Sequence, residues 1–245
     1  MAEKVAIITD IHGNYNALKA VLHDINKDED IVHIYCLGDL IGIGHETNEV
    51  LSLLSVQKNI SFVAGNHDQA ILNIFAGKEP GSKGEEKEHH KWIASRLDPA
   101  YLPMLSGLSQ KLYANHNGKT FYFTHYHVNE RGDFLPVDQT PSVNKLDELY
   151  RESTADIVCF GHHHVVHHFK SKERLYVNPS SLGCNHKPLA PYGVVELGAF
   201  GNINISFREV PYDNKDFLLS YERLNVPGKE FILEVFYGNQ HLRYI

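Results

Sequence analysis

Five short clusters of polar residues contain the side-chain types that bind divalent metals. In chain order they are Asp10-Ile11-His12-Gly13-Asn14, Gly38-Asp39, Gly65-Asn66-His67-Asp68, Thr124-His125-Tyr126-His127 and Gly161-His162-His163-His164. Carboxylate oxygen, amide oxygen and imidazole nitrogen together suit ions such as Mn, Fe and Zn. An aspartate can bridge two such ions, and a metal pair clamps both the attacking and the leaving oxygen of an in-line displacement. The clusters could therefore form a two-metal centre if the fold brings them together.

Each cluster taken alone also has a purely structural explanation. Gly-Asp is a common turn dipeptide, and Asn and Asp favour turns in general. Thr124–His127 could be part of a strand with one histidine turned inward, and the three histidines after Gly161 could form a solvated loop. The metal hypothesis depends on all five clusters occurring together, each at the end of a predicted strand.

The first three clusters are carried by elements that alternate between strand and helix. Apolar strands are predicted over Lys4–Thr9, Ile31–Leu37 and Ile60–Ala64, and helices over Asn14–Lys27 and Glu46–Gln57. The first helix has an apolar stripe at helical spacing, which consists of Leu18, Val21, Leu22 and Ile25. A strand-helix-strand order with continuous apolar strands predicts a parallel sheet covered by helices. Loops past the carboxyl ends of such strands converge, so we expect the clusters to meet in space.

The second half of the chain is richer in strands. They are predicted over Lys119–Thr124, Asp156–Phe160, Val165–Lys170, Arg174–Val177, Gly193–Leu197 and Asn202–Glu209. Short consecutive strands favour hairpins in a second sheet, which the chain after Leu197 is expected to complete. Asp213 is a candidate cap for a late helix. Residues 1–245 are interpreted as one domain with a largely helical flap inserted at about 77–107.

The composition argues against several classes of protein. The formal net charge is -7, and no basic stripe suggests a nucleic-acid partner. No apolar run approaches the ~18 residues of a membrane span, and the N-terminus lacks a signal-peptide pattern, so we expect a cytoplasmic protein without a membrane partner. The three cysteines are predicted to be buried, reduced thiols.

With all five clusters in order, the sequence resembles the calcineurin-like metallophosphoesterase superfamily over about Val5 to Leu197. The signature is D-x-H, G-D, G-N-H-D, a later histidine after a strand, and G-H-x-H. The stretches Gly38–Gly44 and Asn178–Gly183 resemble the small bacterial and archaeal phosphodiesterase-like branch. Two positions depart from that pattern: Ser180 replaces a glycine and His45 a proline.

The resemblance implies a fold, a ligand set and a cofactor. The fold is α/β, a four-layer α/β/β/α sandwich of two mixed sheets. The first metal would be held by Asp10, His12, Asp39 and His164, and the second by Asp39, Asn66, His125 and His162. The cofactor would be two divalent ions, with Mn ahead of Fe, Zn or Ni. His127 and His163 fall outside the ligand pattern.

The implied reaction is hydrolysis of a phosphate ester by a metal-bridging hydroxide. His67 would protonate the leaving oxygen, and Asp68 is the expected orienting partner of His67. No arginine follows the second or third cluster, as one does in the protein-phosphatase branch, so a phosphodiester or nucleotide-type ester is preferred. The alternatives are a phosphomonoesterase or protein phosphatase of the same superfamily, or a non-catalytic metal-binding platform.

Two sets of residues remain open in their role. Candidates for contacting the small phosphate-ester substrate are His89, His90, Lys91, Arg96 and Arg131. The apolar segment Lys229–Ile245 is expected to pack either on the domain or on the second subunit of a homodimer.

Overall fold

The computed structural model describes residues 3–198 and 201–245, and two five-stranded sheets form its centre. The first sheet contains β1 (Glu3–Ile8), β2 (Ile31–Cys36), β3 (Ile60–Phe62), β9 (Leu189–Leu197) and β10 (Ile203–Pro211). Its order is β10-β9-β1-β2-β3. The strands β1, β2 and β3 are parallel, whereas β9 runs antiparallel to β1, and β10 antiparallel to β9. The parallel half is the one predicted from the alternating pattern.

The second sheet is also mixed. It contains β4 (Lys111–His116), β5 (Lys119–Thr124), β6 (Ile157–Cys159), β7 (Val166–Lys170) and β8 (Leu175–Pro179), in the order β4-β5-β6-β8-β7. The hairpins β4-β5 and β7-β8 form its two edges, and β5, β6 and β8 run parallel at its centre. Both sheets therefore present the carboxyl ends of three parallel strands.

Helices cover the outer faces of the sheets. They are α1 (Tyr15–Ile25), α2 (Thr47–Ser55), α3 (Asn66–Phe75), α4 (Gly84–Ala94), α5 (Leu102–Ser106), α6 (Val143–Leu149), α7 (Lys215–Arg223) and α8 (Lys229–Val235), with 3-10 turns at Pro99–Tyr101 and Gln240–Arg243. None of the helices in the described ranges has both the length and the apolar character needed to cross a membrane.

The alternation of side chains along β1 creates two separate cores. Val5 and Ile7 point toward the second sheet and pack in a cluster with Phe121 and Phe123 of β5. Ala6 and Ile8 point the other way, into a cluster with the apolar faces of α1 and α2. Successive residues of a strand face opposite sides, so β1 is buried on both. Helices outside two face-to-face sheets give the predicted four-layer sandwich.

The outer face of the second sheet has its own cluster, in which Val158 and Tyr176 pack with Leu146 of α6. The C-terminal segment packs on the domain, since Ile232 and Leu233 of α8 share a cluster with α7.

Several sequence-based expectations need correction. The chain after Leu197 completes the first sheet rather than the second, because β10 pairs with β9 along its whole length. The edge strand β4 and the helix α6 were not predicted. The residue at the N-cap position of α7 is Asn214, and the carboxylate of Asp213 accepts a hydrogen bond from the amide of Lys215.

Candidate metal centre

The predicted ligands lie at the carboxyl ends of five parallel strands. β1, β2 and β3 of the first sheet lead into the loops or helix start that carry Asp10, His12, Asp39 and Asn66. β5 and β6 of the second sheet lead into those that carry His125, His162 and His164. Because the two sheets pack face to face, these seven side chains meet along one edge of the sandwich.

Tight backbone turns hold most of these residues. Five of them have a positive φ, between +48° and +68°: Asp10, His12, Asp39, His162 and His164. A side chain in this left-handed region is unfavourable, and such strain is concentrated at functional sites. The turns are tied together by backbone hydrogen bonds, such as the one from the amide of His12 to the carbonyl of Asp39 at 2.9 Å.

Two glycines allow the loops to approach the ligands closely. A Cβ atom on Gly65 would collide with Oδ1 of Asp39, and one on Gly161 would collide with Thr9 Oγ1 and lie 2.7 Å from Oδ2 of Asp10. A side chain at either position would therefore displace a predicted ligand.

The first predicted ligand group is assembled around the ring of His12. Its Nε2 atom lies 3.0 Å from Nε2 of His164 and 3.7 Å from carboxylate oxygens of both Asp10 and Asp39. Nε2 of His164 lies 3.3 Å from Oδ1 of Asp10. All four predicted ligands of the first metal are therefore neighbours.

The second group is assembled around His125. Its Nε2 atom lies 2.9 Å from Oδ1 of Asn66 and 3.2 Å from Oδ2 of Asp39. A ring nitrogen of His162 falls within 4.8 Å of donor atoms of Asp39 and His125. Oδ2 of Asp39 thus faces His12 on one side and His125 on the other, as a ligand shared by two metal ions would.

The nitrogen and oxygen atoms of the predicted ligands along this edge of the sandwich are arranged as they would be around a bound cation. Nδ1 of His125 is 2.8 Å from the carbonyl of Leu37 and donates its proton there, so in the neutral ring the Nε2 lone pair would face two oxygen atoms. Nε2 of His162 is buried and has no hydrogen-bond partner among the described residues. Converging lone pairs repel unless a proton or a metal lies between them, and such an outer hydrogen bond typically orients a metal-binding histidine.

The protonation of the centre agrees with this arrangement. Although burial opposes it, the imidazoles of His125 and His67 hold the pKa of Asp39 well below its usual range. Burial lowers the pKa of His12 and of His162 to about 4, which leaves both rings neutral, the form that binds metals. Burial also opposes protonation of His125, but the carboxylate of Asp39 raises its pKa to about 9. A cation bound at that nitrogen would displace the proton.

His67 lies beside the ligands, with a partner that differs from the expected one. Its Nδ1 atom is 2.8 Å from Nε2 of His90 in α4, and Nδ1 of His90 is 2.8 Å from the hydroxyl of Ser82. The carboxylate of Asp68, which we expected to orient His67, instead accepts hydrogen bonds from the amides of Gly65 and Ile41. Asp68 therefore fixes the loops that carry Asp39 and Asn66, and His90 takes the orienting position.

Among the residues predicted to contact the substrate, His90 reaches the metal centre, whereas His89, Lys91 and Arg96 make other contacts. His90 reaches the centre through His67, whereas His89 faces the other way, with Nδ1 3.2 Å from the carbonyl of Pro227. Arg96 lies over the ring of Trp92, 4.0 Å from its centroid, and Lys91 pairs with Glu88 on the surface. The sequence placed His90 among these candidates but gave no signal that separated it from its neighbours.

Cys184 was not predicted to lie near the ligands. Its sulfur falls within 4.8 Å of donor atoms of His12 and His164. Burial raises the pKa of this thiol to about 12, so it remains protonated, and it lies 3.6 Å from the hydroxyl of Tyr237. Cys184 is not part of the ligand set that the family resemblance implies, and a bound ion would have to displace the thiol proton for Cys184 to join that set.

Residues 178–181, at the end of β8, form hydrogen bonds to the loops that carry the predicted ligands. Asn178 donates a hydrogen bond to the carbonyl of Gly161, and Ser181 donates one to the carbonyl of Asp10. Ser180, which stands in place of a glycine, has a φ of +75° and donates its hydroxyl to the carbonyl of His164 at 2.8 Å. The hydrogen bond explains how a serine is accommodated where glycine is favoured.

Two cavities open beside the centre. One has a volume of about 480 Å³ and is lined by His67, by residues of α4 and by apolar residues at 227–236. The other, of about 620 Å³, is lined by Asn66 and His162 and is more polar. Glu86 lines both, so the two cavities lie on either side of helix α4.

Comparison with known proteins agrees with this geometry. A model of the calcineurin-like phosphoesterase superfamily domain matches residues 4–198. An uncharacterized protein of Methanocaldococcus jannaschii is 32% identical over 165 residues, which cover 66% of this chain and 62% of that protein. The symmetrical bis(5'-nucleosyl)-tetraphosphatase of Sodalis glossinidius is 38% identical over 72 residues, 29% of this chain and 26% of the relative. The chain thus spans less than two thirds of the length of these curated relatives.

Solved structures share the fold at low sequence identity. A hypothetical protein from Pyrococcus horikoshii superposes with a TM-score of 0.79 at 19% identity, covering 96% of this chain and 98% of the other. A metallophosphoesterase from Sphaerobacter thermophilus gives a TM-score of 0.70 at 21% identity, with 96% and 98% covered. The match of the family model to most of the chain and the converging histidine and carboxylate ligands lead to one conclusion: this chain belongs to the calcineurin-like phosphoesterase superfamily.

Proposed function

We propose that the protein is a dinuclear metal-dependent phosphoesterase that hydrolyses a phosphodiester or a nucleotide-type phosphate ester. The observation that carries the proposal is the position of Asp39, whose Oδ2 atom faces His12 at 3.7 Å and His125 at 3.2 Å. Each of these histidines belongs to a separate ligand group. Two divalent ions, Mn by preference, would occupy the two groups and share Asp39.

Ions held by these two ligand groups would supply a nucleophile at neutral pH and would offset the charge that develops on the phosphoryl group. The chain supplies the ligands, the shape of the site and a proton for the leaving oxygen. That proton is assigned to His67, whose Nδ1 atom is engaged by His90 and whose Nε2 atom is left for the substrate.

The contacts of His67 allow two arrangements of its single N–H, and one of them directs that N–H at the substrate. Burial lowers the pKa of both His67 and His90, so each ring is neutral and carries one N–H. If the hydroxyl of Ser82 donates to Nδ1 of His90, then Nε2–H of His90 donates to Nδ1 of His67. The N–H of the neutral His67 ring is then on Nε2, where it would donate a hydrogen bond to the leaving oxygen. Transfer of a proton to that oxygen requires the protonated ring. The reverse arrangement would leave His67 without a proton to donate.

The two cavities support a diester over a monoester. A phosphate bound at the ligands would lie between a cavity beside His67 and another beside Asn66 and His162. A phosphodiester has two substituents, one for each cavity, whereas a monoester fills one. The absence of an arginine after Asp39 and Asp68 also argues against a protein phosphatase. The short match to a tetraphosphatase that acts on dinucleosides favours a nucleotide-type substrate.

We also place the enzyme in the cytoplasm. The three cysteines are free and buried, which suits a reducing compartment.

Activity with two chromogenic esters tests the function. The Mn-loaded protein should hydrolyse bis(p-nitrophenyl) phosphate, and kcat/KM should exceed that for p-nitrophenyl phosphate. A strong preference for the monoester would contradict the diester assignment. Bound metal without turnover of either ester, or of dinucleotides, would instead favour the non-catalytic platform.

A further inference from the structure

Half of the residues that line the apolar cavity beside His67 follow the matched family domain. That domain ends at residue 198, whereas Pro227, Phe231, Ile232 and Phe236 form the apolar wall of the cavity. This wall therefore belongs to the chain's C-terminal segment, and the family signature does not account for it.

Two aromatic rings connect the cavity to the metal ligands. The ring of Phe236 lies 5.8 Å from the ring of His164, and the ring of Phe231 lies 6.1 Å from that of Phe236 at an interplanar angle of 79°. Phe231 is 57% exposed, so a large apolar surface is left open at the cavity wall. A group attached to a phosphate at the ligands could cover this surface without leaving the centre.

The charge of the cavity limits what that group can be. The charged lining residues in the described part of the chain are Glu85 and Glu86, and they carry the same sign as a phosphate. A second phosphate would be repelled there. A neutral ring with N–H groups would instead stack on Phe231 and donate hydrogen bonds to a carboxylate, as amino-bearing bases do. The aromatic wall consists of one edge-to-face pair, which fits a planar ring better than a quaternary amine, whose usual site is a cage of several aromatic faces.

We propose that this cavity is a subsite for a nucleobase with an exocyclic amino group, carried by the substituent on the His67 side of the phosphate. The proposal rests on the proposed function. The volume of the cavity, about 480 Å³, lies in the ~300–1,000 Å³ range of small-molecule sites. Phe231 would be a specificity-determining residue that acts through stacking.

Binding measured by titration calorimetry tests the subsite. The probes are adenosine 5'-monophosphate and methyl phosphate, which have the same phosphate group, added to the Mn-loaded full chain. The adenosine ester should bind at least about tenfold more tightly, and Phe231→Ala should lose roughly tenfold of that affinity while methyl phosphate is unaffected. Val235→Ala is the matched control: Val235 is 45% exposed on the same helix and does not line the cavity, so its removal should change neither affinity.

Equal affinities for the two probes, or an unchanged affinity in Phe231→Ala, would overturn the subsite. So would tighter binding of phosphocholine than of the adenosine ester. Hydrolysis of bis(p-nitrophenyl) phosphate by the same preparations separates the two proposals. If the protein hydrolyses a chromogenic ester but binds the adenosine ester and methyl phosphate equally well, only the subsite is refuted. If it binds the adenosine ester selectively but hydrolyses neither chromogenic ester, only the proposed function is refuted.

Discussion

Nδ1 of His67 lies 2.8 Å from Nε2 of His90, a residue 23 positions further along the chain in helix α4. The contact links helix α4 to the side chain that we assign to proton transfer. His90 is buried and its other nitrogen is held by Ser82, so the orientation of His67 depends on an element outside the five signature clusters.

Replacing His90 should reduce turnover without removing metal. In His90→Ala the ring of His67 loses its hydrogen bond to His90, and we expect kcat to fall roughly 10- to 100-fold with unchanged metal content. His90→Gln should recover part of the loss, because its amide N–H can still donate to Nδ1. Steady-state kinetics and elemental analysis of both variants measure this.

Lys91→Ala is the control for this series, since Lys91 is the next residue in α4 and pairs only with Glu88 among the described salt bridges. Equal turnover in His90→Ala and Lys91→Ala would contradict the orienting role.

Gly65 should be required for metal binding. In Gly65→Ala the new methyl group would collide with Oδ1 of Asp39, so the affinity for Mn should fall more than about tenfold. Gly193→Ala provides the comparison, because a Cβ atom there has no neighbour closer than 3.4 Å. Calorimetric titration with Mn distinguishes the two, and equal affinities would refute a close fit around Asp39.

Asp68 should contribute to stability. Its carboxylate accepts the amide protons of Gly65 at 3.0 Å and Ile41 at 3.2 Å, and Asp68→Ala would leave both buried without a partner. Each loss costs about 1–3 kcal/mol, so the free energy of unfolding should fall by about 2–6 kcal/mol. Urea denaturation measures the change. The exposed Asp213→Ala, which removes a similar hydrogen bond to the amide of Lys215, should cost far less.

Glu46 should make stability depend on pH. Burial raises its pKa to about 7, against the opposing hydrogen bond from the amide of Tyr15. The unfolded chain ionises this group near pH ~4.3, so between about pH 5 and 7 the folded state holds more protons and stability falls as pH rises. Glu46→Gln should therefore be more stable than wild type at about pH 8, by about 1–3 kcal/mol, with little difference near pH 5.

The exposed Glu29→Gln serves as the reference for Glu46→Gln. Thermal unfolding is measured at about pH 5 and about pH 8. The difference in stability between Glu29→Gln and wild type should be the same at both pH values. A pH-independent effect of Glu46→Gln would contradict burial of its carboxyl group.

The sequence was most informative where a local pattern determines a contact. The apolar stripe through Leu18 and Val21 predicted helix α1. The parallel arrangement of the first strands predicted that Asp10 and Asp39, which follow the carboxyl ends of two of them, lie close together. These conclusions need only the helical period and the topology of a parallel sheet.

Contacts between distant segments could not be predicted in the same way. The alternation in β10 predicts a strand, yet its place in the first sheet depends on β9 pairing with β1. Likewise, helical spacing places His89 and His90 in α4 without saying which ring turns toward His67. The cavity wall at Phe231 depends on α8 packing beside α4, which no signal in either segment indicates.

The most direct test of a dinuclear centre bridged by Asp39 is the metal content of three Mn-loaded, desalted proteins. Elemental analysis should find two ions per chain in wild type and in His67→Ala, the latter with most of its turnover lost. Asp39→Ala should lose metal and activity together. Two ions per chain in Asp39→Ala would contradict the bridging assignment and the mechanism built on it.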